Sequence, residues 1–371
     1  MLTFLSAACF LFGALLVLLG ANQAQMAREL ELDLVHSGLL ASALALGMGL
    51  GVVGAGPLFD RYPRRPLFAV ALLIAGLPLL ALGPGLSFPL WLVYIALAGA
   101  GAGMYETLTN GAVAERYAGH SARTMVALHA SVTAGAVAVP LLATWIATRF
   151  HWSDSFAWLG WAHLALALAA LAVPLPAHAQ RAEPPAAAPD SVFSAAFLPF
   201  AVICFAYVGF EASLTMFASP YAADALSLDA RRGPTAISCF WLGMLIGRLA
   251  LAALLRSRGT RLLAVSGALA AAIVAGAVGS GVSSIELVYL AAGLALGGVF
   301  PIVIAAAAHR FPHARGTAAG LAAGAGSLGG FTVPWLTGAL GDAAGVGAAI
   351  GSLALWCLLI SLAGAALLRS D

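Results

Sequence analysis

Long apolar runs follow one another along this chain, with only short polar breaks between them. The most informative break is residues 56–68, Gly-Pro-Leu-Phe-Asp-Arg-Tyr-Pro-Arg-Arg-Pro-Leu-Phe. Apolar sequence extends back from it to Leu34 and onward to Leu82. Each run exceeds the roughly 18–20 apolar residues that cross a bilayer as a helix. The break therefore reads as a tight hairpin between two membrane helices. Its arginines, Arg61, Arg64 and Arg65, mark the cytoplasmic side, where positive charge accumulates.

Composition agrees. Of 371 residues, 62% are hydrophobic and 9% charged, with mean hydropathy +0.99; a soluble domain is about a quarter charged. All 17 cationic residues are Arg, net charge is only +2, and no basic run suggests nucleic acid. Cys9, Cys204, Cys239 and Cys357 lie in apolar segments without C-x-x-C spacing. They read as small core residues rather than disulfides or metal ligands. H-E-x-x-H, G-x-S-x-G and clustered His/Asp sets do not occur. Neither an enzyme nor a cofactor is expected.

Twelve apolar segments can be delimited: 2–22, 34–58, 66–84, 88–114, 121–148, 152–175, 193–220, 233–255, 260–280, 284–308, 315–340 and 344–368. The first lacks a basic leader and a cleavage site, and reads as a membrane helix rather than a signal peptide. With the hairpin and both termini inside, 13 arginines fall on the cytoplasmic side and only Arg28, Arg149, Arg231 and Arg232 outside. That asymmetry fits the positive-inside bias. Residues 176–192 are rich in Pro and Ala and read as an extended cytoplasmic linker. The chain thus divides into 1–175 and 193–371.

The two halves repeat. A shift of 194 lays Arg116-Tyr117 over Arg310-Phe311, Gly103 over Gly297, Gly135 over Gly329 and Val139-Pro140 over Val333-Pro334. A shift of 196 lays Leu58…Arg65 over Leu254…Arg261, with Arg256 in place of Asp60. The expected fold is an all-α integral membrane protein, twelve transmembrane helices in two pseudo-symmetric six-helix bundles.

An ionisable side chain at mid-membrane costs on the order of 2.5–3.5 kcal/mol on insertion scales, and is a functional candidate for that reason. In segment four Glu106 and Asn110 are four apart and share a helix face. The pair reads as a proton-titrating carboxylate with a hydrogen-bond partner, or as a structural Glu satisfied by a neighbouring helix. Segment five carries His129 and Thr133 at the same spacing; His129 suits either substrate binding and proton relay or simple packing. Segment seven aligns Tyr207, Glu211 and Thr215 on one stripe, with Glu211 the mid-helix acid of the second half. Arg248 reads as an anchor of a cytoplasmic gate, and His163 as a packing residue. Glu286 and His309 sit at segment ends. Trp152, Trp158 and Trp161 suit an aromatic belt, while the deeper Trp241 and Trp335 suit stacking on a sugar ring or core packing.

The form G-P-L-x-D-R-x-P-R-R over residues 56–65 resembles the loop signature of the major facilitator superfamily, with Pro63 where the family usually has Gly. Gly103-Met104-Tyr105-Glu106-Thr107-Leu108-Thr109-Asn110, Tyr207-Val208-Gly209-Phe210-Glu211, Phe300-Pro301 and Gly329–Asp342 resemble the branch that contains the fucose–proton symporter. The resemblance implies a secondary active transporter working by alternating access, with the substrate site between the halves. It implies proton coupling at Glu106; Glu211, read from the residues alone, suits substrate hydroxyl binding, a second protonation site, or a structural pair with a polar group across the half-interface. Asn110, His129, Thr133, Tyr207, Trp241, Phe300 and Trp335 are then the substrate-binding candidates. Asp60, Arg61, Arg64, Arg65 and Arg248 are the gating candidates. Segment one departs from that branch: it carries no acid, only Asn22, Gln23 and Gln25. The expected partners are a small-molecule substrate, protons and the lipid bilayer, for a monomer in the inner (plasma) membrane. The expected transport mode is proton-coupled symport of a small polar, sugar-like solute; the alternative is proton-driven export of amphipathic compounds.

Overall fold

The structure, a computed structural model, describes residues 1–116, 121–175, 194–254, 259–312 and 314–368. The linker 176–192, Tyr117 and Arg256 lie outside the described residues, as does the side chain of Asp60. Helices dominate: α1 (Leu2–Glu29), α2 (Leu34–Arg61), α3 (Arg64–Leu80), α4 (Phe88–Arg116), α5 (Ser121–Ala147), α6 (Asp154–Ala172), α7 (Leu198–Met216), a short α8 (Ala218–Pro220), α9 (Arg232–Leu254), α10 (Gly259–Ser280), α11 (Ile285–Leu296), α12 (Val299–Arg310), α13 (Arg315–Ala344) and α14 (Val346–Leu368). Among the described residues nine helical stretches are long and apolar enough to cross a membrane. The other three predicted spans correspond to α3, α9 and α13.

The hairpin turns at Tyr62-Pro63, between α2 and α3. Pro63 has φ −58° and ψ 134°. That φ is the value the pyrrolidine ring imposes, so the turn asks nothing that only glycine provides. Arg61 and Arg65 are exposed, whereas Arg64 turns inward and is buried.

Three element boundaries differ from the sequence reading. First, α1 runs about two turns past the predicted end near residue 22. Asn22 is buried there without breaking the helix: its Nδ2 donates to Leu18 O at 2.9 Å and to Ser155 Oγ at 3.0 Å. Second, segment seven is not one helix. After Phe217 it continues as α8 and a π-helical turn over Tyr221–Ala225. Third, the tenth segment splits at Gly297-Gly298 into α11 and α12. Pro301 is the reason: it has no N–H to donate to the carbonyl four residues back, that of Gly297. One expectation for the aromatic belt also changes. Trp158 and Trp161 are exposed, but Trp152 is buried, stacked on Trp91 and donating to the Glu29 carboxylate.

The chain divides into two compact units, one of Met1–Leu32 with Leu39–Glu183, the other of Asp33–Gly38 with Pro184–Asp371. Within the first, α1 packs on α5 and α3 packs on α6 and α4. Within the second, α7 packs on α13, α9 on α11 and α10 on α14.

Close backbone approach is repeated contact for contact. A Cβ on Gly103 would lie 2.1 Å from Met48 O, and one on Gly297 would lie 2.6 Å from Met244 O. Similarly, a Cβ on Gly135 would meet Phe10 O at 2.1 Å, and one on Gly329 would meet Phe205 O at 2.0 Å. No real Cβ survives at such distances, so glycine at these positions sets how near the helices come. The repeat read from the sequence is therefore a repeat of packing within each unit.

Candidate functional site

In the first unit α1, α4 and α5 enclose a cavity lined by Cys9, Phe12, Tyr105, Glu106, Thr109, Asn110, Leu128, His129 and Val132. Glu106 is half-buried and interacts with Asn110 by a side-chain hydrogen bond, one helical turn away. His129 comes from α5 to the same space. Three residues predicted from spacing are thus brought together. The lining contains no arginine or lysine. A carboxylate placed there finds hydrogen-bond donors but no fixed cation, which leaves protonation as the direct way to remove its charge.

The cavity is narrow, about 10 Å³, room for a single water. A sugar does not fit it in this conformation, so its dimensions suit a proton and a water. Thr133 does not join the lining. It is fully buried, and its hydroxyl donates to His129 O at 3.0 Å, its own helix backbone. That is the ordinary fate of a helical threonine.

Sequence reasoning missed what stands behind Glu106. Tyr105 and His163 are both fully buried. The His163 Nδ1 lies 2.8 Å from Leu159 O and so carries the ring proton; Nε2 then accepts from the Tyr105 hydroxyl at 3.3 Å. Tyr105 also meets Phe12 edge-on, with ring centroids 6.3 Å apart. The histidine read as packing thus positions a cavity-lining tyrosine. No spacing rule predicts this, because it depends on α6 reaching α4.

The second unit holds a different cluster. Tyr207, buried in α7, interacts by hydrogen bonding with the Glu211 carboxylate and with Arg248 of α9, and Glu211 and Arg248 attract one another electrostatically. The Tyr207 hydroxyl also lies 3.7 Å from the Met244 sulfur, and its ring packs on Phe300 with centroids 5.9 Å apart. Arg248, read from sequence as a gate anchor, is held here by Nε donating to Gly297 O at 3.1 Å. That carbonyl is the one Pro301 leaves without a helical donor. Thr215 bonds to the backbone oxygens of Glu211 and Ala212, leaving the stripe without its hydroxyl donor.

Trp241 is buried, and its indole nitrogen has no hydrogen-bond partner among the described residues. Trp335 is 43% exposed and lies outside both clusters. Glu286, at the start of α11, is a partner of Arg232, whose Nε and Nη2 reach it at 2.7 and 2.5 Å. Among the described residues no group of His, Cys, Asp and Glu is arranged to hold a metal.

Comparison with known proteins gives a consistent picture. The sequence model of the Major Facilitator Superfamily matches residues 3–291. A glucose transport protein of Synechocystis sp. is 28% identical over 138 residues, 37% of this chain and 29% of that protein's length. The nucleoside transporter NupG superposes with TM-score 0.79 over 99% of this chain and 98% of its own, at 14% identity. A D-xylose-proton symporter superposes with TM-score 0.76 over 98% and 95%, at 16% identity. A bacterial homologue of the human lysosomal transporter Spinster, inward-facing and unoccupied, gives 0.78 over 100% and 97%, at 14% identity. At these identities the structural likeness establishes the fold.

Proposed function

The chain belongs to the Major Facilitator Superfamily and is a multi-pass membrane transporter rather than an enzyme, and on that premise we propose that it is a proton-coupled symporter of a small polar, sugar-like solute. The observation that carries this reading is Glu106 in a one-water cavity, hydrogen-bonded to Asn110 and without a fixed cation in the lining. Protonation removes the charge that otherwise opposes closing dry helices around it. His129, on the same cavity, is the second group able to take or pass that proton. The sugar-like class draws on the glucose transport protein and the D-xylose-proton symporter among the similar proteins.

The protein works as a monomer in the plasma (inner) membrane with both termini cytoplasmic, the orientation the arginine bias favours. Residues 1–175 and 193–371 form the two moving bundles, joined by the linker 176–192. The hairpin arginines Arg61, Arg64 and Arg65, with Asp60, hold the cytoplasmic side closed in one state and release it in the other.

Proteoliposomes test the reading. Glu106→Gln abolishes accumulation driven by an inward proton gradient while counterflow exchange persists. Undiminished accumulation by that variant rules out coupling at Glu106. The alternative, proton-driven export of amphipathic compounds, calls for a large apolar cavity rather than the one-water space beside Glu106. Resistance profiling of a deletion strain distinguishes it.

A further inference from the structure

Arg248 is a charge that a neutral solute does not require. Burying a cation and an anion together in a protein interior rarely repays the desolvation of both. In a membrane helix such charges mark a substrate or ion path. The placement is also built rather than incidental. Gly297 brings α11 against α9, Pro301 leaves the Gly297 carbonyl without a helical donor, and that carbonyl takes the Arg248 Nε. The guanidinium also hydrogen-bonds Tyr207, so a solute carboxylate would meet it by competing with these partners, through the planar fork of donors that arginine presents.

We propose that Arg248, with Tyr207 and Glu211, binds the carboxylate of the transported solute, which is therefore a hydroxylated carboxylic acid of the sugar-acid class. This rests on the symport reading above and narrows its substrate. A second observation supports a hydroxylated ligand. Trp241 lies two turns before Arg248 on the stripe that includes Met244, which the Tyr207 hydroxyl touches. Its indole N–H is buried without a partner. A buried orphan donor is costly, and a substrate hydroxyl would satisfy it. The packed Tyr207 and Phe300 rings, tilted 31° to one another, supply the apolar wall for a sugar-like skeleton.

Charge balance then sets the protonation of this cluster, a step that works with the proton exchange at Glu106 and does not replace it. In the empty cluster Arg248 and Glu211 sum to zero. A monoanion arriving at Arg248 would leave two carboxylates beside one cation, so Glu211 takes a proton from the side the substrate entered. No covalent bond changes, and the loaded cluster again sums to zero. Tyr207 on its own helix and Arg248 on α9 are the ionisable groups acting on Glu211; among the described residues α12, α13 and α14, which also pack on α7, bring none to it.

The test uses purified protein in proteoliposomes under an inward proton gradient, with D-glucuronate and D-glucose as probes. Wild type is expected to half-saturate with glucuronate at a concentration about tenfold or more below that for glucose, the scale of a charge-assisted bidentate contact. Arg248→Gln removes the preference, and Arg248→Lys keeps part of it, supplying charge without the planar fork. Glucuronate should also raise the melting temperature of detergent-solubilised wild type more than glucose does, a readout that needs no variant. Glucose handled as well as glucuronate by wild type, or a preference unchanged in a folded Arg248→Gln, overturns the sugar-acid inference and leaves the symport reading standing. No proton-driven flux and no thermal shift with either probe overturns both.

Discussion

Glu106 and Glu211 are both half-buried, in two units built from repeated helix contacts, yet their surroundings are opposite. Glu106 faces a one-water cavity with Asn110 and His129 and no arginine or lysine. Glu211 shares Tyr207 with Arg248. The scaffold around them is conserved by the repeat: Gly103 approaches Met48 as Gly297 approaches Met244. In the register that superposes those glycines, Phe300 stands where Glu106 stands, and its ring packs on Tyr207. Duplication preserved the positions that let helices meet, while the positions that carry charge diverged. The lesson is that a buried carboxylate is read by what stands opposite it. One without a cation is suited to exchanging protons, and one with a cation is suited to holding charge until a competing anion arrives.

Breaking the second cluster should have the largest effect on stability. Arg248→Gln or Glu211→Gln leaves the other charge half-buried without its partner, which costs up to about 3 kcal/mol, the lower end of the range for a broken buried pair. The double variant should recover much of that loss. A double-mutant cycle read by thermal unfolding in detergent checks it, and simple additivity would show that the two groups do not interact. Glu106→Gln should cost only about 1 kcal/mol, the worth of one hydrogen bond to Asn110. A loss as large as that of Glu211→Gln would reveal a charged partner for Glu106 and erase the contrast. Thr133→Val should be the mildest change, within about 0.5 kcal/mol, because the bond it removes is one from the hydroxyl to its own helix backbone. Uptake kinetics of Thr133→Val should match wild type; a changed KM would return the hydroxyl to the substrate site.

Much of the fold was legible because membrane helices announce themselves by length and apolarity. The hairpin turn at Tyr62-Pro63 and the glycine repeat followed from local pattern alone. Glu106 and Asn110 share a cavity, as their four-residue spacing predicted, and His129 joins them from α5 without Thr133. What was not legible depends on partners distant in sequence. The Tyr105–His163 bond needs α6 to reach α4. The position of Arg248 needs a proline in α12 to release a carbonyl that α9 can use. That Thr133 and Thr215 bond to their own helix backbones was not legible either, because spacing shows which face a hydroxyl lies on, not which acceptor takes its proton. The place of Trp335 along the helix did not show that its side chain is 43% exposed.

The central claim is that Glu106 gains and loses a proton while Glu211, in the empty protein, stays charged beside Arg248. Infrared difference spectroscopy of reconstituted protein, titrated from acid to alkaline pH, follows the protonated carboxyl stretch directly. The account predicts a titrating carboxyl band in wild type that survives in Glu211→Gln and disappears in Glu106→Gln. A band that persists in Glu106→Gln and is lost in Glu211→Gln would contradict it.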